Sequence, residues 1–305
     1  MLKKEKIIVI CGPTASGKTA LSIELAKKIN GEIISCDSMQ IYKEMNIGTA
    51  KPTAEEMQEI KHYLIDCVSP EKRYSVAEYK TDAKKAIREI IKKGKTPIIV
   101  GGTGLYIDSL IYEIEYPNIE FDEKYREQLE QRAQKEGLEN LYKEAEKIDE
   151  EAVKKISSND KKRIIRILEI YNATGKNKTM QEIESRKKEI EYDYHIYALN
   201  WDREKLYERI NRRVDIMISQ GLIEEVENII KKYKEFPTAM QGLGYKEVVQ
   251  YLENKLTKQE MIEKIKQESR RYAKRQLTWF RKNKQTIWLS GEDKLQNNIK
   301  IILEG

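Results

Sequence analysis

The chain has 305 residues, of which 39% are hydrophobic and 35% charged, and 57 Lys and Arg against 51 Asp and Glu give it a formal charge of +6. That length suits one large α/β domain or two smaller ones, with apolar residues enough for a core. No apolar run approaches the ~18 residues of a membrane helix, and Met1-Leu2-Lys3-Lys4 leads directly into a strand, so neither a membrane span nor a signal peptide is expected.

Residues 5–11 read as a buried strand, followed by Gly12-Pro13-Thr14-Ala15-Ser16-Gly17-Lys18-Thr19. The spacing Gly-x4-Gly-Lys-Thr between a strand and a helix is that of a P-loop. Its glycines let backbone N–H groups close round phosphate oxygens, Lys18 supplies a positive charge, and Thr19 offers a hydroxyl to Mg²⁺. The helix behind it carries Leu21, Leu25 and Ile29 on one face and ends at Asn30-Gly31. A strand over 32–36 then delivers Asp37, Ser38, Met39 and Gln40 at its C-terminal end, where open parallel sheets bind ligands. Met45–Pro52 reads as an ordered loop and Tyr63–Cys67 as a short strand. Ser75-x-x-Glu78 is a capping box for a helix closed by Gly94. Thr96–Val100 is the next strand, ending in Gly101-Gly102-Thr103-Gly104. Strands alternating with helices predict a doubly wound parallel sheet, an α/β P-loop NTPase-like core.

The pattern changes near Pro117. Charged helices are expected over 122–136, 139–147, 149–156, 160–173 and 179–190, with Asn159-Asp160 as cap and Gly175 as stop for the fourth. Tyr194–Asn200 reads as a strand returning to the sheet. Residues 117–190 are therefore expected to be a helical insertion into a core made of 1–116 and 191–305. Helices follow to Gly221 and over 222–234, and a long helix begins at the box Thr257-x-x-Glu260. Thr286–Leu289 is the last expected strand, and the tail after Gly291 carries no clear signal.

Cys11, Cys36 and Cys67 are odd in number and lack metal spacing, as in a reduced cytosolic protein with buried thiols. His62 and His195 lie too far apart to suggest a metal site. Asp37 admits two functional readings, Mg²⁺ coordination or general base, beside the plainer one of a turn aspartate. Thr103 closes a strand where many NTPases place a Mg²⁺-binding aspartate, which speaks against a motor ATPase or GTPase switch. Arg212 and Arg213 sit on a helix that, packed over the loop, would bring a guanidinium fork to pyrophosphate; otherwise they are a solvated face. Arg270–Lys284 has seven basic residues and no acid, with Tyr272, Trp279 and Phe280 interleaved. Lys154, Lys155, Lys161, Lys162, Arg163 and Arg166 form a second cluster, and two such patches on helices suit a polyanion, or are each a solvated face, with the aromatics in the core.

On its motifs the chain resembles the tRNA dimethylallyltransferase (IPP transferase) family along nearly its whole length. The matching stretches are Gly12–Thr19, Asp37–Tyr42, Asn46–Pro52, Val100–Tyr106, Arg213-x-x-x-Met217 with Gly221, Gly244-Tyr245-Lys246 and Ala273–Arg281. The resemblance implies transfer of the dimethylallyl group of dimethylallyl diphosphate to the exocyclic amine of the adenine 3′-adjacent to a tRNA anticodon. Asp37 would be the general base, Thr103 and Arg213 would contact the reacting groups, and the P-loop would hold diphosphate with Mg²⁺ at Thr19. It further implies tRNA contacts at Asp37, Ser38, Met39, Gln40, Thr103 and Arg126, and at Lys162, Arg163, Ile164, Ile165 and Arg166. The same holds for Gln241, Gly242, Leu243, Gly244, Tyr245 and Lys246, although Gln241 and Gly242 stand where the family pattern has bulkier, often basic residues. The partners implied are the tRNA anticodon stem-loop and dimethylallyl diphosphate, for a cytoplasmic monomer. A zinc finger like that of the eukaryotic extension is not expected within these residues, since no Cys or His follows His195.

Overall fold

The structure, a computed structural model, describes residues 4–116, 122–185 and 189–305. From the N-terminus, β1 (Lys6–Cys11) leads through the glycine loop into α1 (Lys18–Ile29) and β2 (Gly31–Cys36). Next come the single turn α2 (Ala54–Met57), β3 (His62–Tyr63), α3 (Val76–Lys92), β4 (Thr96–Gly101) and α4 (Gly104–Ile111). Five helices follow: α5 (Glu123–Lys135), α6 (Leu138–Ile148), α7 (Glu150–Val153), α8 (Lys161–Thr174) and α9 (Lys178–Ser185). The chain then forms β5 (Asp193–Asn200), α10 (Arg203–Ser219), α11 (Leu222–Lys232) and α12 (Tyr245–Leu252). It ends with α13 (Lys258–Phe280), β6 (Ile287–Ser290) and α14 (Leu295–Glu304).

The strands are parallel and ordered β3-β2-β4-β1-β5-β6. β1 lies at the centre, with Ile8 beside both Ile98 of β4 and His195 of β5. Parallel strands covered on both faces must be apolar throughout, and Ile7–Cys11 are all buried. Leu21, Leu25 and Ala26 of α1 and Ile299 and Ile302 of α14 pack with Ile8, Ile10 and Leu199 of the sheet. A second cluster joins Ile41, Tyr42 and Met45 to Val226 of α11, Val248 of α12 and Ile265 of α13. Both capping boxes form: Ser75 Oγ accepts from Glu78 N at 3.2 Å, and Thr257 Oγ1 accepts from Glu260 N at 3.2 Å.

Several expectations are corrected. The strand expected over 63–67 is only His62–Tyr63, because Leu64 (φ 57°) and Asp66 (φ 54°) take left-handed conformations that no strand accommodates. Cys11 and Cys36 are buried, but Cys67, past that broken strand, is exposed. The tail after Gly291 holds α14, whose Ile299 and Ile302 are buried against the sheet. The helix expected over 179–190 is α9, Lys178–Ser185, and residues 186–188 of that span lie outside the described residues.

The chain forms two compact units, 1–107 with 191–305 and 108–190. The boundary expected near Pro117 lies outside the described residues; the smaller unit begins earlier, within α4. One bond that binds the 108–116 segment into that unit is Glu115 N to Ser185 Oγ, at 2.9 Å. Its core is Leu129 of α5, Leu141 and Ala145 of α6, and Ile164, Ile165 and Leu168 of α8. Asp149 is buried; its Oδ1 accepts from Ala152 N (3.0 Å) and Thr179 Oγ1 (2.7 Å) and its Oδ2 from Thr179 N (2.8 Å), fastening α7 to the start of α9. Asp160 caps α8, accepting from Arg163 N at 3.1 Å, and Gly175 ends it with φ 66°.

Candidate active site

The loop between β1 and α1 is shaped by Gly12 (φ 146°) and Gly17 (φ 93°), conformations that side chains disfavour. Gly17 is the N-cap of α1 and carries no side-chain cap, so the first amides of the helix remain available to an anion. Lys18 Nζ folds back on its own loop and donates to Gly12 O (3.0 Å) and Pro13 O (2.7 Å). Burial first, and then the neighbouring Arg213 cation, push its pKa down to about 8, against an opposing pull from Asp37. Ser16 Oγ is buried and has no hydrogen-bond partner among the described residues.

The C-terminal helices clamp this loop one residue at a time. Gln276 of α13 accepts from Thr14 N at 2.9 Å, and Arg213 Nη1 of α10 donates to Thr14 Oγ1 at 3.2 Å. Arg209 Nε of α10 donates to Ala15 O at 2.9 Å, and Trp201 Nε1 donates to Ser16 O at 3.0 Å. The Arg209 guanidinium lies 4.2 Å from the Trp201 ring centroid, so the two clamps brace each other. Burial lowers the pKa of Arg213 below the ordinary guanidinium value, with Asp37 and Glu56 acting against it. The helix bearing Arg212 and Arg213 thus packs over the loop. Arg213 faces it half-buried, while Arg212 is exposed at the mouth of the same cavity.

Asp37 and Thr103 follow the ends of β2 and β4, neighbours in the sheet with Cys36 beside Gly101. Thr103 N donates to Cys36 O (3.2 Å), and Thr103 Oγ1 accepts from Ser38 N (3.1 Å). Asp37 Oδ1 accepts from Met39 N (2.8 Å) and Gln40 N (3.2 Å). Asp37 is thus a turn aspartate whose side chain also lines both cavities on the loop side, so holding the turn and facing the cavities do not exclude each other. Gly101 allows this approach, since a Cβ there would lie 2.0 Å from Cys36 O.

Two cavities meet here, sharing Thr14, Asp37, Thr49, Arg213 and Tyr272. One, of about 510 Å³, is bounded by the loop, Lys18 and Thr19 together with Arg209 and Arg212. The other, of about 310 Å³, has Met39, Ile210, Val214, Met217, Leu243 and Ile265 in its wall. A compartment lined by the loop and by basic side chains thus adjoins one in which a cluster of apolar side chains lies beside Arg275 and Lys246, and one carboxylate, Asp37, lines both.

Gly48 and Thr49, in the wall of the smaller of these two cavities, belong to a loop held by Glu225 of α11. Glu225 accepts from Asn46 N (3.0 Å), Ile47 N (2.7 Å), Gly48 N (3.2 Å) and Tyr245 Oη (2.6 Å). Among the residues implied for tRNA, Tyr245 is wholly buried in this latch, whereas Gln241 is exposed and Lys246 half-buried. In the smaller unit Lys162, Arg163 and Arg166 are exposed on α8, but Ile164 and Ile165 are wholly buried in its core, so their side chains present nothing to a partner. Arg126 Nη1 pairs with the buried Glu169 at 3.0 Å and its Nε with Glu130 at 3.3 Å. Among the described residues no three His, Cys, Asp or Glu side chains form a metal-binding group. Trp201, Arg209, Glu225 and Gln276 were not singled out from sequence. Only Gln276 had a local signal, since it lies inside the Ala273–Arg281 motif.

Comparison with known proteins places these features in context. The family model described as IPP transferase matches residues 40–283. The tRNA dimethylallyltransferase of Acetivibrio thermocellus is 50% identical over 299 residues, 98% of this chain and 95% of that protein. That of Bacillus cereus strain AH187 is 48% identical over 292 residues, 96% of this chain and 92% of that protein. Among solved structures, the full-length tRNA isopentenylpyrophosphate transferase of Bacillus halodurans aligns with TM-score 0.74 and 41% identity, covering 99% of this chain and 95% of that one. A eukaryotic dimethylallyltransferase acting on tRNA aligns with TM-score 0.83 and 31% identity, covering 98% of this chain and 77% of that one. No helix among the described residues is long and apolar enough to cross a membrane.

Proposed function

Because this chain belongs to the tRNA dimethylallyltransferase (IPP transferase) family, we propose that it transfers the dimethylallyl group of dimethylallyl diphosphate to the N6 amine of the adenosine 3′-adjacent to the anticodon in tRNA. The observation that carries this reading is Asp37 in the shared lining of two cavities, one bounded by the loop, Lys18 and Thr19 and the other containing Val214, Met217 and Ile265. The amine nitrogen attacks the allylic C1, the C1–O bond breaks, and the electron pair leaves with diphosphate. Asp37 accepts the proton that the amine loses. Charge grows on the departing oxygen, and Lys18, Arg213 and the loop amides are the donors that meet it. The apolar walls of Met217, Val214 and Ile265 suit the five-carbon group. Thr103 fixes the Ser38 turn and so the direction of the Asp37 side chain.

Mg²⁺ asks for hard oxygen donors, one or two from the protein and the rest from phosphate and water. The exposed Thr19 hydroxyl borders the loop-side cavity and is such a donor, which leaves the Asp37 carboxylate free to act as base. When bound, the ion would neutralise charge on the diphosphate. The tRNA anticodon stem-loop is the acceptor in this reading, with Lys162, Arg163, Arg166 and the exposed bases of α13 as phosphate partners, in a cytoplasmic monomer.

The test is transfer of label from dimethylallyl diphosphate to tRNA. The wild-type protein should label tRNA without consuming ATP, and Asp37→Asn should lose about 10²–10⁴ in kcat while tRNA still binds. Label entering AMP, ADP or ATP but never tRNA would overturn the reading.

A further inference from the structure

We propose that Gln276 is a positioning residue that locks the diphosphate-holding loop in register with the turn bearing Thr103; the inference rests on the prenyl-transfer reading of this site. Gln276 is 5% exposed and spans the gap between the two segments with a single side-chain amide. Its Oε1 accepts from Thr14 N at 2.9 Å, and its Nε2 donates to Gly102 O at 2.9 Å. The amide orientation is fixed by chemistry, because a backbone N–H can only donate and a carbonyl can only accept. No other residue type of this length offers both an acceptor and a donor at neutral pH. Gly102 complements it: a Cβ at that position would lie 2.1 Å from Gln276 Nε2.

The consequence reaches the reacting groups at two points. With its N–H held by Gln276, Thr14 presents its hydroxyl to Arg213 Nη1 at 3.2 Å, which sets the guanidinium at the cavity junction. At the other end, Gly102 precedes Thr103, whose hydroxyl holds the turn of Asp37 and Ser38. Losing the amide frees the two halves of the site to shift independently, and misplacement of about 1 Å costs on the order of 10²-fold in rate.

Three measurements on the full-length protein test this: the dissociation constant of inorganic diphosphate by calorimetry, kcat and KM for each substrate, and the melting temperature. Gln276→Met keeps the length and removes both hydrogen bonds. We expect its diphosphate affinity to fall about tenfold and kcat about 10²-fold, with KM for tRNA within about twofold of wild type. A lower melting temperature with unchanged diphosphate affinity and kcat would show a merely structural role and overturn the inference. Gln276→Glu supplies a second readout should Gln276→Met fold poorly. Its carboxylate repels Gly102 O, whereas its protonated form restores the donor, so its diphosphate affinity relative to wild type should rise several-fold as the pH falls from 8 to 5.5. A flat ratio overturns the inference. Should the wild-type protein show no prenyl transfer while Gln276→Met still loses diphosphate affinity, the positioning role stands and the prenyl-transfer reading falls.

Discussion

Lys18 spends its three protons partly on carbonyls of its own loop, Gly12 O and Pro13 O, and burial holds its pKa near 8 rather than 10.5. Its folded value is the lower one, so between about pH 8 and the unfolded value the unfolded chain binds more protons. The stability of the ligand-free protein therefore gains from this group as pH rises through that window and carries the full penalty below it. Diphosphate reverses the preference, since its negative charge favours the ammonium form. Lys18 should take up a proton on binding above pH 8 and so weaken affinity by up to about tenfold per pH unit there, on top of the titration of diphosphate itself, which a Lys18 variant shares. Calorimetry in buffers of different ionisation enthalpy reads the uptake directly. Lys18→Met should bind more weakly and lose the part of the slope that belongs to this residue; a slope identical in the variant would remove Lys18 as its source.

At the scale of elements, loop 45–52 and helices α11 and α12 work as one piece. Glu225 takes three successive backbone N–H groups of the loop, and Tyr245 donates to the same carboxylate. The fit leaves no space at residue 48, where a Cβ would lie 2.4 Å from Tyr245 Cε2 and 2.9 Å from Leu222 Cδ1. Gly48→Ala should therefore destabilise the protein by about 1–3 kcal/mol through overpacking. Urea unfolding checks it, with a lower midpoint at unchanged slope expected and an unshifted midpoint counting against the contact. This latch also marks what the sequence could not disclose. The P-loop, the Asp37 turn and both capping boxes are local patterns, in which spacing along the chain is itself the physical constraint. Glu225 lies 177 to 179 residues from the loop it holds, and Gln276 lies 262 from Thr14 of the phosphate loop, and no periodicity signals such pairs. Arg213 was legible as a residue type on a helix, but its direction was not, because that depends on how α10 packs. α14 was legible in principle: Leu295, Ile299 and Ile302 repeat at helical spacing, yet the segment has no capping residue, and Lys294 makes no side-chain cap. Leu64 and Asp66 misled in the opposite sense, since nothing local marks a non-glycine residue that tertiary contacts hold at positive φ.

For the whole molecule, charge is divided between the two units, with Lys162, Arg163 and Arg166 on α8 in one and Lys274, Arg275 and Arg281 on or next to α13 in the other. Each phosphate contact removed should make the slope of log K against log salt for tRNA shallower by about 0.7–0.9. Alanine triples on α8 and on Lys274, Arg281 and Lys282 should each flatten that slope while leaving diphosphate affinity alone; filter binding over a salt series measures it, and an unchanged slope excludes that helix as an RNA contact. The sheet order has a consequence of another kind, for a chain still being made. β1 finds its second neighbour only in β5, with Lys6 beside Asp193. At about 5–20 residues per second a ribosome delivers β5 roughly ten to forty seconds after β1. Both edges of the central strand stand open until β4 is made and one thereafter, whereas the helical unit has all of its own core residues before β5 emerges. The clamps Trp201, Arg209, Arg213 and Gln276 emerge later still. The phosphate loop, among the earliest segments synthesised, is thus fully fastened only late, and a chain released before residue 276 carries the motif without the amide that ties Thr14 to Gly102.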